Sequence, residues 1–142
     1  MYFDKTGREI KAGMVLRHGD NELDTVCTTT GPDGQEDLGI LATNPKFLCN
    51  HPGMDTEYYS LRQCPTKEWE IVSEKPFTLT ELLTRCKEPA ILNFYDIHDP
   101  QFSFAFWPEW EVLTRDKDRP VLGVTPEIRA DSDRPFLNIV LG

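Results

Sequence analysis

The stretch Thr78-Leu-Thr-Glu-Leu-Leu-Thr-Arg-Cys-Lys-Glu-Pro-Ala-Ile-Leu-Asn-Phe-Tyr95 decides the fold class. Its first half encodes a helix through local chemistry. Thr78 suits an N-cap, and Glu81 stands three residues later, where a capping box needs it. Leu79, Leu82, Leu83 and Cys86 follow at helical spacing and form a narrow apolar face. Arg85 and Lys87 place positive charge in the last turn, where the helix dipole favours it. Glu88-Pro89 stops the helix. The second half, Ala90 to Tyr95, is apolar on both faces and reads as a central strand.

Strands follow downstream. Phe102, Phe104 and Phe106 alternate through Gln101–Trp107, after a turn at Asp99-Pro100. Trp110–Thr114 and Pro120–Val124 flank a charged hairpin loop, Arg115-Asp-Lys-Asp-Arg119. Phe136–Leu141 is a last strand. Residues 74–142 therefore read as one helix on an antiparallel sheet.

Residues 1–73 read as short strands separated by tight turns. Strands are expected at Met14–His18, Leu23–Thr29, Asp37–Leu41, Tyr58–Leu61 and Glu68–Val72. Gly31-Pro-Asp-Gly34 is the strongest turn signal of the chain. Asn44-Pro45 starts a helical turn, with asparagine as N-cap and proline at the first helical position. This pattern predicts a small curled sheet or barrel of the SH3-like kind. The whole is a strand-rich α+β chain in two parts, 1–73 and 74–142, either separate or sharing one core.

Charge bounds the partners. The chain has 24 acidic and 15 basic side chains, a net charge of −9 on 142 residues. Residues 1–73 hold 12 acids against 7 bases, and residues 74–142 hold 12 against 8. Neither part has a basic stripe, so direct binding to nucleic acid is not expected. No apolar run reaches the length of a membrane helix. The N-terminus lacks a basic segment followed by an apolar one, so a cytoplasmic protein is expected. Acids gather at two turns of the first part: Asp20, Glu22 and Asp24, then Asp33, Glu36 and Asp37. Such a surface suits a protein partner with a basic face, including one that ordinarily holds nucleic acid.

Catalytic and metal signatures are weak. Cys27, Cys49, Cys64 and Cys86 contain no Cys-x-x-Cys pair. Cys49-x-His51, completed by Cys27 or Cys64, is the nearest zinc pattern; reduced, packed thiols are the simpler account. Asp33, Gln35 and Asp37 imitate the start of a calcium loop, but Leu38 replaces its glycine and Asn44 its closing glutamate. No cofactor is expected. Asp96, His98 and Asp99 form the sharpest polar cluster, an alternative reading as a metal-dependent hydrolase site. Turn chemistry before Pro100 explains the same residues. Trp107, on the face opposite the three phenylalanines, is a candidate partner contact. The dense aromatic set also allows an oligomerising accessory domain.

One resemblance adds to this. Asp4-x-x-Gly7-x-x-Ile10-Lys-Ala-Gly-Met14, Asp37-Leu-Gly39, Tyr58-Tyr59 and Glu68-Trp-Glu70 resemble short phage and mobile-element proteins of gut bacteria. The likeness covers residues 1–72, and nothing in residues 73–142 adds to it. It implies no enzymatic activity. It implies an inhibitor in the bacterial host cytoplasm, of the anti-CRISPR or anti-restriction type, acting on a host-defence protein.

Overall fold

The computed structural model describes residues 1–19, 21–85, 90–99, 103–107 (backbone only), 116–128, 130–131 and 135–142. They form a strand-rich α+β fold with ten strands and two short α-helices among the described residues. The strands are β1 (Val15–His18), β2 (Glu22–Thr25), β3 (Cys27–Thr30), β4 (Glu36–Leu41), β5 (Tyr58–Ser60), β6 (Glu70–Ser73), β7 (Ile91–Asp96), β8 (Ser103–Trp107), β9 (Val121–Glu127) and β10 (Phe136–Leu141). The helices are α1 (Pro45–Asn50) and α2 (Leu79–Thr84).

Seven strands make one sheet in the order β6-β1-β2-β9-β10-β7-β8. It takes β1, β2 and β6 from residues 1–73 and the other four from residues 74–142. The remaining strands form a small sheet, β3-β4-β5. The expected small barrel is not closed. Its strands divide between the two sheets because the expected strand Leu23–Thr29 breaks at Val26. That residue is buried and exchanges backbone hydrogen bonds with Gly13 and Met14, which carries the chain from one sheet to the other.

The large sheet is mixed rather than antiparallel. β7 and β10 run parallel, with Ile91 opposite Phe136 and Asp96 opposite Leu141. Parallel strands of this kind are covered on both faces, and these are. Leu92, Phe94, Ile139 and Leu141 pack toward α2 with Leu79, Leu82 and Phe77. Tyr95 and Val140 pack toward α1 with Leu48 and Cys49. The capping box of α2 forms as its sequence requires: Thr78 Oγ1 accepts from the Glu81 amide, and Glu81 accepts from the Thr78 amide. Asn44 caps α1 by accepting from the Lys46 amide, with proline at the first position. A third cluster, around Ile10, Leu16, Ile40 and Leu61, joins the N-terminal segment to the small sheet.

Candidate functional site

The six acids singled out in the sequence have different structural roles. Asp20 lies outside the described residues. Asp24 is buried on β2, and its Oδ2 lies 2.6 Å from His18 Nε2. Its Oδ1 is buried with no hydrogen-bond partner. Burial pushes the Asp24 carboxyl above its ordinary value, while His18 pulls it down. His18 stacks on Trp69, ring centroids 4.3 Å apart, and its Nδ1 stands 3.7 Å from Glu22. Glu22 stays partly exposed at the start of the strand.

On the β3–β4 hairpin, Asp37 turns inward. It accepts from the Tyr2 hydroxyl at 2.7 and 2.8 Å and from Ser60. The hydrogen bonds from Ser60 and Tyr2 hold its carboxyl below the ordinary range. Asp37 thus ties the hairpin to the N-terminal segment and to β5. Its neighbours Asp33 and Glu36 remain exposed at the hairpin end. Asp33 Oδ1 accepts the Gln35 amide at 3.2 Å in a local turn. Two members of the calcium-like pattern are thus engaged within the protein, Asp33 by the Gln35 amide and Asp37 by Tyr2 and Ser60. Arg62 approaches Asp33 and Asp37 at 3.7 Å each.

The Asp96 cluster is a turn fixed by an arginine. Arg119 holds Asp96 with two parallel contacts of 2.7 and 2.8 Å, and this pairing keeps the Asp96 carboxyl low. The His98 amide donates to Asp96 Oδ1 and the Asp99 amide to the Asp96 carbonyl, while both side chains face solvent. Among the described residues no group of three His, Cys, Asp or Glu side chains is placed to hold a metal ion. Cys49 and His51 diverge. Cys49 is buried, its Sγ directed to the Asn93 carbonyl, and burial pushes its thiol up to about 12. His51 is exposed and stacks on Phe47, centroids 4.0 Å apart. Cys27 and Cys64 are free thiols, both raised by burial. Trp107 pairs with Leu92 through the backbone of β8, and its side chain lies outside the described residues. The Phe102 position and Trp110–Thr114 also lie outside them.

No family model matches this chain, and no curated protein or solved structure matches it.

Sequence reading missed one arrangement. Thr125, Asn138 and Asn93 stand side by side on β9, β10 and β7. All three are buried on the face that α1 covers. Asn93 Nδ2 donates to Asn138 Oδ1 at 3.2 Å and to Asn50 Oδ1 at 3.3 Å. Asn138 Nδ2 donates to the Thr125 carbonyl and to Glu127. Thr125 donates to Asn44, the cap of α1. The available signal was Asn93 itself, an amide in the middle of a strand otherwise apolar on both faces. Above this row lies a groove of about 470 Å³ between α1 and β9, reached also by Glu22. Among the described residues no helix is long and apolar enough to cross a membrane.

Proposed function

We propose that this chain is a non-enzymatic interaction module whose acidic surface docks on a basic protein partner. The observation that carries the reading is the β3–β4 hairpin, which presents Asp33 and Glu36 to solvent while Asp37 anchors its base through Tyr2 and Ser60. A fixed base lets exposed charge meet a partner without first ordering a loop. Glu22 adds a partly exposed charge at the β1–β2 hairpin. The net charge of −9 favours encounter with a positive surface and disfavours nucleic acid itself. The partner class that fits is a nucleic-acid-binding protein, its groove covered by this chain in place of phosphate. The resemblance to phage and mobile-element proteins supports an inhibitor of host defence, of the anti-CRISPR or anti-restriction type, working in the bacterial host cytoplasm.

The test is capture of a partner on the immobilised protein across a salt series, with duplex DNA and RNA as competitors. Exposed charge pairs are screened within about 10 Å at 0.1 M salt and within about 3 Å at 1 M. Capture should fall steeply over that range, and nucleic acid should displace the partner. Capture that is indifferent to both salt and nucleic acid would remove the reading.

A further inference from the structure

The groove between α1 and β9 is lined by two carboxylates, Glu22 and Glu127, by one cation, Lys46, and by the Phe47 and His51 rings. Behind the residues that line it, two side-chain oxygens near α1 are buried without a partner, Asp24 Oδ1 and Asn93 Oδ1. Both sit on the face that α1 covers. A β-carbon built on Gly123 would stand 3.0 Å from Pro45 of α1 and 3.2 Å from Asp24 Oδ1, and Asn93 bonds Asn50 of α1. Buried unpaired oxygens are unfavourable. Glu22 and Glu127 add carboxylates to the groove. Glu127 already holds one cation, Lys46 Nζ at 3.1 Å, and is kept in place by Asn138. Over this acidic floor stands an aromatic wall. Phe47 is 42% exposed although its neighbours Leu48 and Cys49 are buried, and His51 stacks against it. The Phe47 carbonyl can only accept, so His51 Nδ1 at 2.8 Å carries the proton and donates.

A ligand for this groove must be cationic, rich in donors, and able to lie against an aromatic ring. Two carboxylates against one ammonium, Lys46, leave the charged lining net acidic, which disfavours phosphate-bearing ligands. An ammonium group is compact and carries no planar face. A guanidinium has five N–H donors, no acceptor, and a flat face that stacks on rings. We propose that the α1–β9 groove is a receptor for an arginine side chain of the partner protein, stacked on the Phe47 side of the Phe47–His51 pair and facing Glu22 and Glu127. This rests on the docking reading above and gives it a second contact, separate from the β3–β4 hairpin. The volume exceeds one guanidinium, so the groove takes an arginine together with its flanking backbone.

The probe is the peptide acetyl-Gly-Arg-Gly-amide, with citrulline and lysine versions as controls. Binding is followed by amide shifts of the isotope-labelled full chain. Saturable shifts should cluster at residues 44–51 and 125–127, with the citrulline peptide weaker by about tenfold because it lacks the charge. Phe47→Ala should weaken the arginine peptide about threefold through the lost stack. Glu22→Gln, at a partly exposed site, should weaken it without disturbing the remaining spectrum. Equal binding of arginine and citrulline peptides overturns the proposal, as do shifts outside the groove or none that saturate. Preferential binding of adenosine monophosphate overturns it in favour of a nucleotide. Failure here, with salt-sensitive partner capture intact, removes the arginine receptor and leaves the acidic docking reading standing.

Discussion

Asp4 shows how much one carboxylate can do in this chain. It is 4% exposed, yet four donors converge on it: the Thr6 hydroxyl and the amides of Thr6, Arg8 and Ile71. Burial alone would raise its pKa, but these hydrogen bonds outweigh that and lower it from 3.8 to about 2. A folded-state value below the unfolded one stabilises the fold above the unfolded value, and the contribution is lost as pH falls from about 4 toward 2. Asp4→Asn keeps the shape but turns a donor toward donors. It should cost about 2 kcal/mol at pH 7, and the gap to the parent should narrow by pH 2.5. Urea unfolding of both proteins at the two pH values reads this directly. A gap of constant size would mean that the charge of Asp4 contributes nothing. Roles of this kind were not legible in the sequence. Glu22 and Asp24 stand two apart on one strand, and Asp33 and Asp37 on one hairpin. Whether each faces solvent or the interior depends on distant segments: Tyr2, Ser60 and the β9 backbone.

The elements differ in how locally they are determined, and their legibility follows. α2 was readable because its cap, its glutamate and its leucines lie within one short stretch. α1 was readable from Asn44-Pro45 for the same reason. The division of residues 23–29 into β2 and β3 was not, since it depends on Val26 bonding to Gly13 and Met14. The parallel pairing of β7 with β10 was also hidden, as it joins segments about 45 residues apart. β4 offers a test of how tightly such non-local packing is set. A β-carbon on Gly39 would stand 2.4 Å from Thr29 Cγ2 and 2.6 Å from the Tyr59 carbonyl oxygen. The first contact is a side chain that can turn, but the second is backbone of the neighbouring strand. Gly39→Ala should therefore destabilise by about 2–3 kcal/mol through overpacking. Gly34→Ala is a weaker comparison: nothing lies within 4 Å of its built β-carbon, and only its positive φ of 79° opposes the change. Chemical unfolding that finds Gly39→Ala the milder of the two would show that β4 and β5 can separate at little cost.

At the scale of the whole molecule, the acidic excess divides into charge that builds the fold and charge left on its surface. Asp4, Asp24, Asp37 and Asp96 are held by donors or cations within the structure. Asp33 and Glu36 are exposed at a hairpin end. This division separates stability from binding by experiment. The double change Asp33→Lys and Glu36→Lys moves the net charge from −9 to about −5 and reverses the sign of the hairpin end. Exposed substitutions away from packed contacts usually change stability by about 0.5 kcal/mol or less, so the unfolding midpoint should stay near that of the parent. Losing the weak Arg62 contact, 3.7 Å from Asp33, lies within that allowance. Partner capture at low salt should fall by tenfold or more, about 1.4 kcal/mol, and the remaining binding should lose most of its salt dependence. Reversing two exposed acids elsewhere, Asp55→Lys with Glu57→Lys, changes the net charge equally and serves as the control. If both double variants weaken capture alike, net charge alone steers the encounter, and the β3–β4 hairpin has no special place in it. If only the hairpin variant does, the contact is local, and the fixed base at Asp37 is what makes those two carboxylates a docking element.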